Sequence, residues 1–210
     1  MLLGDVNMLK NYIWDFDGML FDSYPHITTA FVKMMEDFGL GADYDETKRL
    51  LEISFGEAYD FYSTTEEQKI RFREYEHNFE MEPLAEPFKN TAETLRRVRE
   101  KGGRNFLYTH RGASTFYYLK KYGIYDLFDD FVTSENGFPA KPAPDAVLHI
   151  VTKHGLDKDE TVMIGDREID VMSGKNAGTK GCLFTREKKV TQADFVVDDI
   201  IKVLNMEVEL

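Results

Sequence analysis

Asp15 and Asp17 stand two residues apart at the close of the run Tyr12-Ile13-Trp14, with Gly18 directly after them. Thr109, Lys141, Asp166 and Asp170 follow in that order, each at or just beyond the end of a short apolar run. Side chains two apart on a strand share a face, so both early carboxylates can reach one small volume at a sheet edge. Acids held that close repel each other unless a divalent cation offsets them. Cleaving a phosphate ester requires neutralising the phosphoryl charge, placing a nucleophile in line and protonating the leaving oxygen. These six residues contain each part. Asp15 is suited to attack as nucleophile, forming an aspartyl phosphate that splits one hard step into two. Asp17 can protonate the leaving alkoxide and then take a proton from the attacking water. Thr109 offers a hydroxyl and a main-chain N–H to phosphate oxygens, and Lys141 brings a point cation to the same group and to Asp15. Asp166 completes an all-oxygen Mg²⁺ sphere with the Asp15 carboxylate and the Asp17 carbonyl, and Asp170 can orient Asp166, Lys141 or a water beside the metal. His110, next to Thr109, is a further phosphate contact. An isolated Asp-x-Asp-Gly is common in turns. A shared position at strand ends and a common chemistry are what join these residues into a Mg²⁺-dependent phosphoryl-transfer site.

The pattern around them predicts an α/β fold. Residues from about 25 to 82 read as helices: Phe31, Met34, Met35 and Phe38 fall on one face, ended by Gly39 and Gly41. Thr65 with Gln68 is a capping-box start for a helix carrying Ile70, Phe72, Tyr75 and Phe79. The Pro-bounded stretch 82–87 suits a hinge. Beyond Phe88, a helix through Ala92, Leu95 and Val98 stops at Gly102-Gly103, and strands are expected at 105–109, 130–133 and 161–165 with helices at 114–122 and 143–154 between them. Short strands at 181–184 and 194–197 and a final helix at about 198–205 complete the chain. Such alternation points to parallel β-α-β units, whose ligands bind beyond the carboxyl ends of the strands. Asp15, Thr109 and Asp166 all fall there.

A net charge of −12 and a pI near 4.9 repel a nucleic-acid backbone, so polymeric nucleic acid is not an expected partner. Cys182 is the single cysteine, which excludes an intrachain disulfide and leaves a Cys-based zinc site without ligands. There is no basic, apolar leader and no window of about 18 apolar residues, so the expectation is a soluble cytoplasmic protein without a membrane partner. Met8 is an alternative start, since the first recognisable strand comes after it. His26 reads as a helix-start residue. Oligomeric state has no sequence signal here.

Trp14-Asp15-Phe16-Asp17-Gly18-Met19-Leu20-Phe21-Asp22-Ser23, Tyr108-Thr109-His110, Lys141-Pro142 and Gly165-Asp166-Arg167-Glu168-Ile169-Asp170 resemble the four motifs of the haloacid dehalogenase-like hydrolase superfamily. The chain is similar in particular to the phosphoglycolate phosphatase-like branch, whose helical cap is inserted after the first motif. The resemblance implies a Rossmann-like core over 1–19 and 85–210, a helical cap over 20–84, Mg²⁺, and an aspartyl-phosphate intermediate formed from small phosphorylated metabolites. Met19 departs from the family's usual Thr, and His110 from its usual Asn or small residue. Alternative readings on the same residues are a 2-haloacid dehalogenase, a sugar-phosphate mutase, and a non-catalytic phosphate-binding or receiver-like module.

Overall fold

The computed structural model describes residues 6–188 and 190–209. In chain order they form β1 (Val6–Met8), β2 (Asn11–Trp14), β3 (Phe21–Asp22), α1 (Tyr24–Asp37), α2 (Tyr44–Ile53), α3 (Phe55–Phe61), α4 (Glu66–Glu76), β4 (Glu86–Pro87), α5 (Thr91–Glu100) and β5 (Arg104–Tyr108). There follow α6 (Ser114–Lys121), β6 (Asp130–Val132), α7 (Asp145–His154), β7 (Thr161–Gly165), α8 (Glu168–Asn176), β8 (Lys180–Phe184), β9 (Phe195–Val197) and β10 (Glu207–Glu209). Two compact units result: one runs to Leu20 and resumes at Pro87, and the other spans Phe21–Glu86.

The first unit is built on a six-stranded sheet in the order β6-β5-β2-β7-β8-β9, with every neighbouring pair parallel. Parallel pairs need crossovers, and α6, α7 and α8 lie in those from β5 to β6, β6 to β7 and β7 to β8. All four residues of β2 are buried, as expected of a central strand covered on both faces. Its Ile13 packs with Phe106 of β5 and Met163 of β7 against Ala146, Val147 and Ile150 of α7. Trp14 is fully buried and its indole N–H donates to Asn105 Oδ1 at 3.0 Å, so the largest core side chain has no unmet donor. Trp14 lies opposite Leu107 on one side and Ile164 on the other. This register brings the carboxyl ends of three strands to one sheet edge, where Asp15, Thr109 and Asp166 are each the first residue past their strand.

The second unit is helical apart from the short β3–β4 pair. Its core gathers Ile27, Phe31 and Met34 of α1, Leu50 and Leu51 of α2, Ala58 of α3 and Phe72 of α4. Phe31 and Phe72 meet edge-on at 5.4 Å. Asp43 and Ser54 cap α2 and α3, and Thr65 with Gln68 forms the expected capping box on α4. The His26 ring is fully buried, one nitrogen 2.9 Å from the Pro83 carbonyl and the other 2.9 Å from that of Glu76.

Several expectations differ from the structure in detail. On α4 the buried positions are Gln68, Phe72 and Glu76, one turn apart, while Ile70 is 54% exposed, so the apolar spacing does not mark the packed face. Phe38 follows the last turn of α1 and is exposed, outside the face formed by Phe31, Met34 and Met35. The final helix is a 3₁₀ segment over Ile200–Asn205. A strand precedes the predicted first one: β1 pairs antiparallel with β10, Val6 opposite Glu209 and Met8 opposite Glu207. Three residues whose pairing partner lies at the far end of the chain leave no local pattern to read. Among the described residues no helix is long and apolar enough to cross a membrane.

Candidate active site

Gly18, with φ of +72°, takes the left-handed conformation that lets the chain turn sharply after Asp17. Gly165 ends β7 where a Cβ would lie 2.3 Å from the Asp170 side chain. Only glycine lets that carboxylate fold back against the strand. Asp170 is 0% exposed, and its Oδ2 accepts the Arg167 N–H at 3.0 Å. The same fold-back aims its other oxygen at Lys141.

Lys141 Nζ lies 2.7 Å from Asp15 Oδ1, 2.8 Å from Asp170 Oδ1 and 3.0 Å from the Tyr108 carbonyl. The contacts to Asp15 and to the Tyr108 carbonyl are hydrogen bonds, and the contact to Asp170 is an ion pair. Burial alone would pull Lys141 down, but Asp15 and Asp170 outweigh it and hold the ammonium above the ordinary lysine range. Burial pushes the Asp15 carboxyl up to about 6, against the attraction of Lys141 and with the added repulsion of Asp170.

One oxygen from each of Asp15, Asp166 and Asp170 lies within 4.8 Å of the others. Lys141 and Arg167, whose Nε lies 3.9 Å from Asp166 Oδ1, are two cations against three carboxylates. Asp15 Oδ2 is buried and accepts no hydrogen bond among the described residues. An all-oxygen donor set, an excess of negative charge and an unsatisfied buried carboxylate oxygen fit a hard divalent cation such as Mg²⁺.

The other expected residues lie at the same edge, with different partners. The Asp17 carboxylate is gripped by Arg111: Nη2 to Oδ1 at 2.8 Å, and Nε to Oδ1 and Oδ2 at 3.2 and 3.3 Å. Any metal contact by Asp17 is thus left to its main-chain carbonyl. Thr109 corrects an expectation, because its N–H donates to the Val132 carbonyl at 2.9 Å as part of the sheet. Only its hydroxyl remains to meet a phosphate, and Oγ1 already accepts the Arg111 N–H at 3.1 Å. His110 Nε2 accepts the Lys141 N–H at 3.1 Å, so the neutral ring carries its proton on Nδ1 and that atom alone can donate. Loss of water around the ring, then the nearby Lys141 and Arg167 charges, hold His110 below the usual imidazole range.

Arg111 is the residue that sequence reasoning undervalued. It stands two residues beyond Thr109 with no distinguishing signal in the sequence around it, since its partner Asp17 lies 94 residues away.

The family model for haloacid dehalogenase-like hydrolases matches residues 12–184. The pyrophosphatase PpaX of Halalkalibacterium halodurans is 26% identical over 178 residues, which is 82% of this chain and 81% of that one. A hydrolase from Streptococcus pneumoniae TIGR4 is 30% identical with a TM-score of 0.63, over 85% of this chain and 94% of the other. A predicted phosphoglycolate phosphatase from Haemophilus somnus shares the fold with a TM-score of 0.82 at 19% identity, over 95% and 98% of the two chains.

Proposed function

The chain belongs to the haloacid dehalogenase-like hydrolases, and from that premise we propose that it is a Mg²⁺-dependent phosphatase of small phosphorylated metabolites, working through an aspartyl phosphate on Asp15. The observation that carries this reading is the Asp15 carboxylate, one oxygen bonded to Lys141 and the other buried and unsatisfied, clustered with Asp166 and Asp170.

In this reading Asp15, Asp166 and the Asp17 carbonyl hold the cation, which supplies positive charge against the phosphoryl oxygens. Lys141 fixes Asp15 and keeps it ionised for attack, and Asp170 fixes Lys141. With its Nζ buried within 2.7 and 2.8 Å of Asp15 and Asp170, its work is directed at these carboxylates more than at the substrate. The Thr109 hydroxyl and the His110 Nδ1–H are donors for the phosphate. An Asp15 oxygen bonds to phosphorus as the ester P–O bond breaks, and Asp17 passes its proton to the leaving oxygen. Water then attacks phosphorus, Asp17 takes the proton back, and Asp15 is released with inorganic phosphate. The units Phe21–Glu86 and the remainder are proposed as cap and core of this enzyme.

Substrate choice follows from the cations at hand. Arg111 and Arg49 are candidates to meet a substrate carboxylate, but Arg111 is committed to Asp17, and Arg49 pairs with Glu46 at 2.7 Å on its own helix. Phosphoglycolate and inorganic pyrophosphate, the latter suggested by the names of the PpaX relatives, therefore belong side by side in a panel of phosphorylated metabolites. The test is turnover of that panel with Mg²⁺ or with EDTA, beside Asp15→Asn. Activity on at least one member that is lost in EDTA and in the variant is expected. Activity indifferent to both would overturn the proposal.

A further inference from the structure

We propose that Arg111 is a positioning residue for Asp17, aiming its carboxylate at the leaving oxygen of the substrate; this deepens the phosphatase reading and rests on it. Four observations carry the inference. Arg111 has only 1% of its side chain exposed, although it lies in a loop directly beyond β5. Its guanidinium fork spans both oxygens of Asp17 at 2.8 to 3.3 Å, which fixes the plane of the carboxylate as well as its place. The guanidinium is itself fixed: it lies over the Phe16 and Tyr118 rings at 5.4 and 5.8 Å and donates through Nη1 to Ser114 Oγ at 3.3 Å. Its main-chain N–H donates to the Thr109 hydroxyl oxygen at 3.1 Å, so one residue sets both the proton donor and a phosphate contact.

The arrangement is more than a buried ion pair. Phe16 separates the two catalytic aspartates in sequence, and its fully buried ring forms one wall of the guanidinium slot. The same segment that delivers Asp15 therefore also anchors the group that orients Asp17. The chemical step is unchanged: the O–P bond to Asp15 forms, the ester O–P bond breaks, and the leaving oxygen takes a proton carried on Asp17 Oδ2, which Arg111 meets only at 3.3 Å, while Oδ1 keeps its 2.8 Å bond to Nη2. Arg111 takes no part in bond exchange. It determines whether the proton arrives in line with the departing oxygen, and a misplacement of about 1 Å costs on the order of 10²-fold in rate.

The test is a series of phosphate monoesters whose alcohols range from strongly to weakly acidic, with kcat/KM measured for the native protein, Arg111→Lys and Arg111→Gln. Esters of acidic alcohols leave without help, whereas poor leaving groups depend on the Asp17 proton. The expected result is a steeper dependence on leaving-group acidity in both variants, with about 10²-fold loss at the poorest leaving group and only a few-fold loss at the best. A variant that merely folds less well loses active molecules, and every ester then slows by the same factor. That parallel offset would overturn the proposal. Should both variants fail to fold, Arg111→Gly is assayed with added methylguanidinium: preferential recovery of the poor leaving groups supports the assignment, and uniform recovery or none contradicts it. Native protein whose turnover ignores EDTA and survives Asp15→Asn would defeat the parent reading instead, a result distinct from any of these.

Discussion

Lys141 is the residue on which the charge balance of the site turns. Removing one partner of a buried ion pair leaves an uncompensated charge and costs about 3–5 kcal/mol. Lys141→Met is therefore expected to lower the denaturant midpoint in metal-free buffer, with part of the loss recovered on adding Mg²⁺. Equal midpoints for native and variant protein would show that Asp15 and Asp170 do not need the ammonium. His110 makes a separate prediction from its depressed pKa. The unfolded chain takes up a proton near its ordinary value of about 6.5, but the native ring resists it, so the native state binds fewer protons and loses stability as pH falls below that point. Two-dimensional NMR of the imidazole should show a neutral ring at pH 6, protonated on Nδ1, and His110→Asn should flatten this part of the stability profile. At the other end of the scale, burial pushes the Cys182 thiol up to about 12, so native protein should resist alkylation at pH 8 and react fully once unfolded. Asp15 and Asp166 were legible in the sequence because each immediately follows an apolar run, and Asp17 and Asp170 because they stand close behind them. Their partners were not: nothing local to Arg111 or Thr109 announces a guanidinium turned onto Asp17 or an N–H already spent on Val132.

At the scale of elements, the helical insert depends on a few fully buried contacts. Phe72 joins α4 to Phe31 of α1, and Phe72→Ala should cost about 3–5 kcal/mol through lost burial and the cavity left behind. His26 is a strut between α1, the carboxyl end of α4 and the stretch before β4. A neutral ring donates to one of the two carbonyls, so replacing it with alanine leaves one acceptor without its donor, at about 1–3 kcal/mol. Hydrogen exchange should show lost protection within Phe21–Glu86 in both variants. Preserved protection together with a specific loss of turnover in His26→Ala would instead make His26 a chemical participant. The sequence foresaw the capping box on α4 and the strand over Thr161–Gly165, because caps and continuous apolar runs are local signals. It misplaced the buried face of α4, where polar Gln68 and Glu76 are packed inward and Ile70 is left outside. It also missed β1 and β10, which exist only through each other.

For the whole molecule, the parallel sheet is what converts distant sequence into one site: the shared register of β5, β2 and β7 brings Thr109, Asp15 and Asp166 to one edge. A cation that binds the native chain alone should stabilise it by about 2.7 kcal/mol at a hundredfold excess over its Kd, and Asp166→Asn should abolish that increment whether or not substrate is present. The alternation of strands and helices made this topology readable in advance, whereas substrate preference was not, because it depends on side chains brought near the phosphate by folding rather than on any motif. The central claim is that Asp15 itself accepts the phosphoryl group. It is tested most directly by mixing the native protein with a turned-over substrate and Mg²⁺, quenching in acid within a single turnover, and weighing the peptide that contains Asp15. The account predicts that this peptide gains one phosphoryl group, that the gain disappears in EDTA, and that Asp15→Asn never acquires it. Steady turnover with no such adduct at any quench time, and no loss of rate in Asp15→Asn, would contradict it.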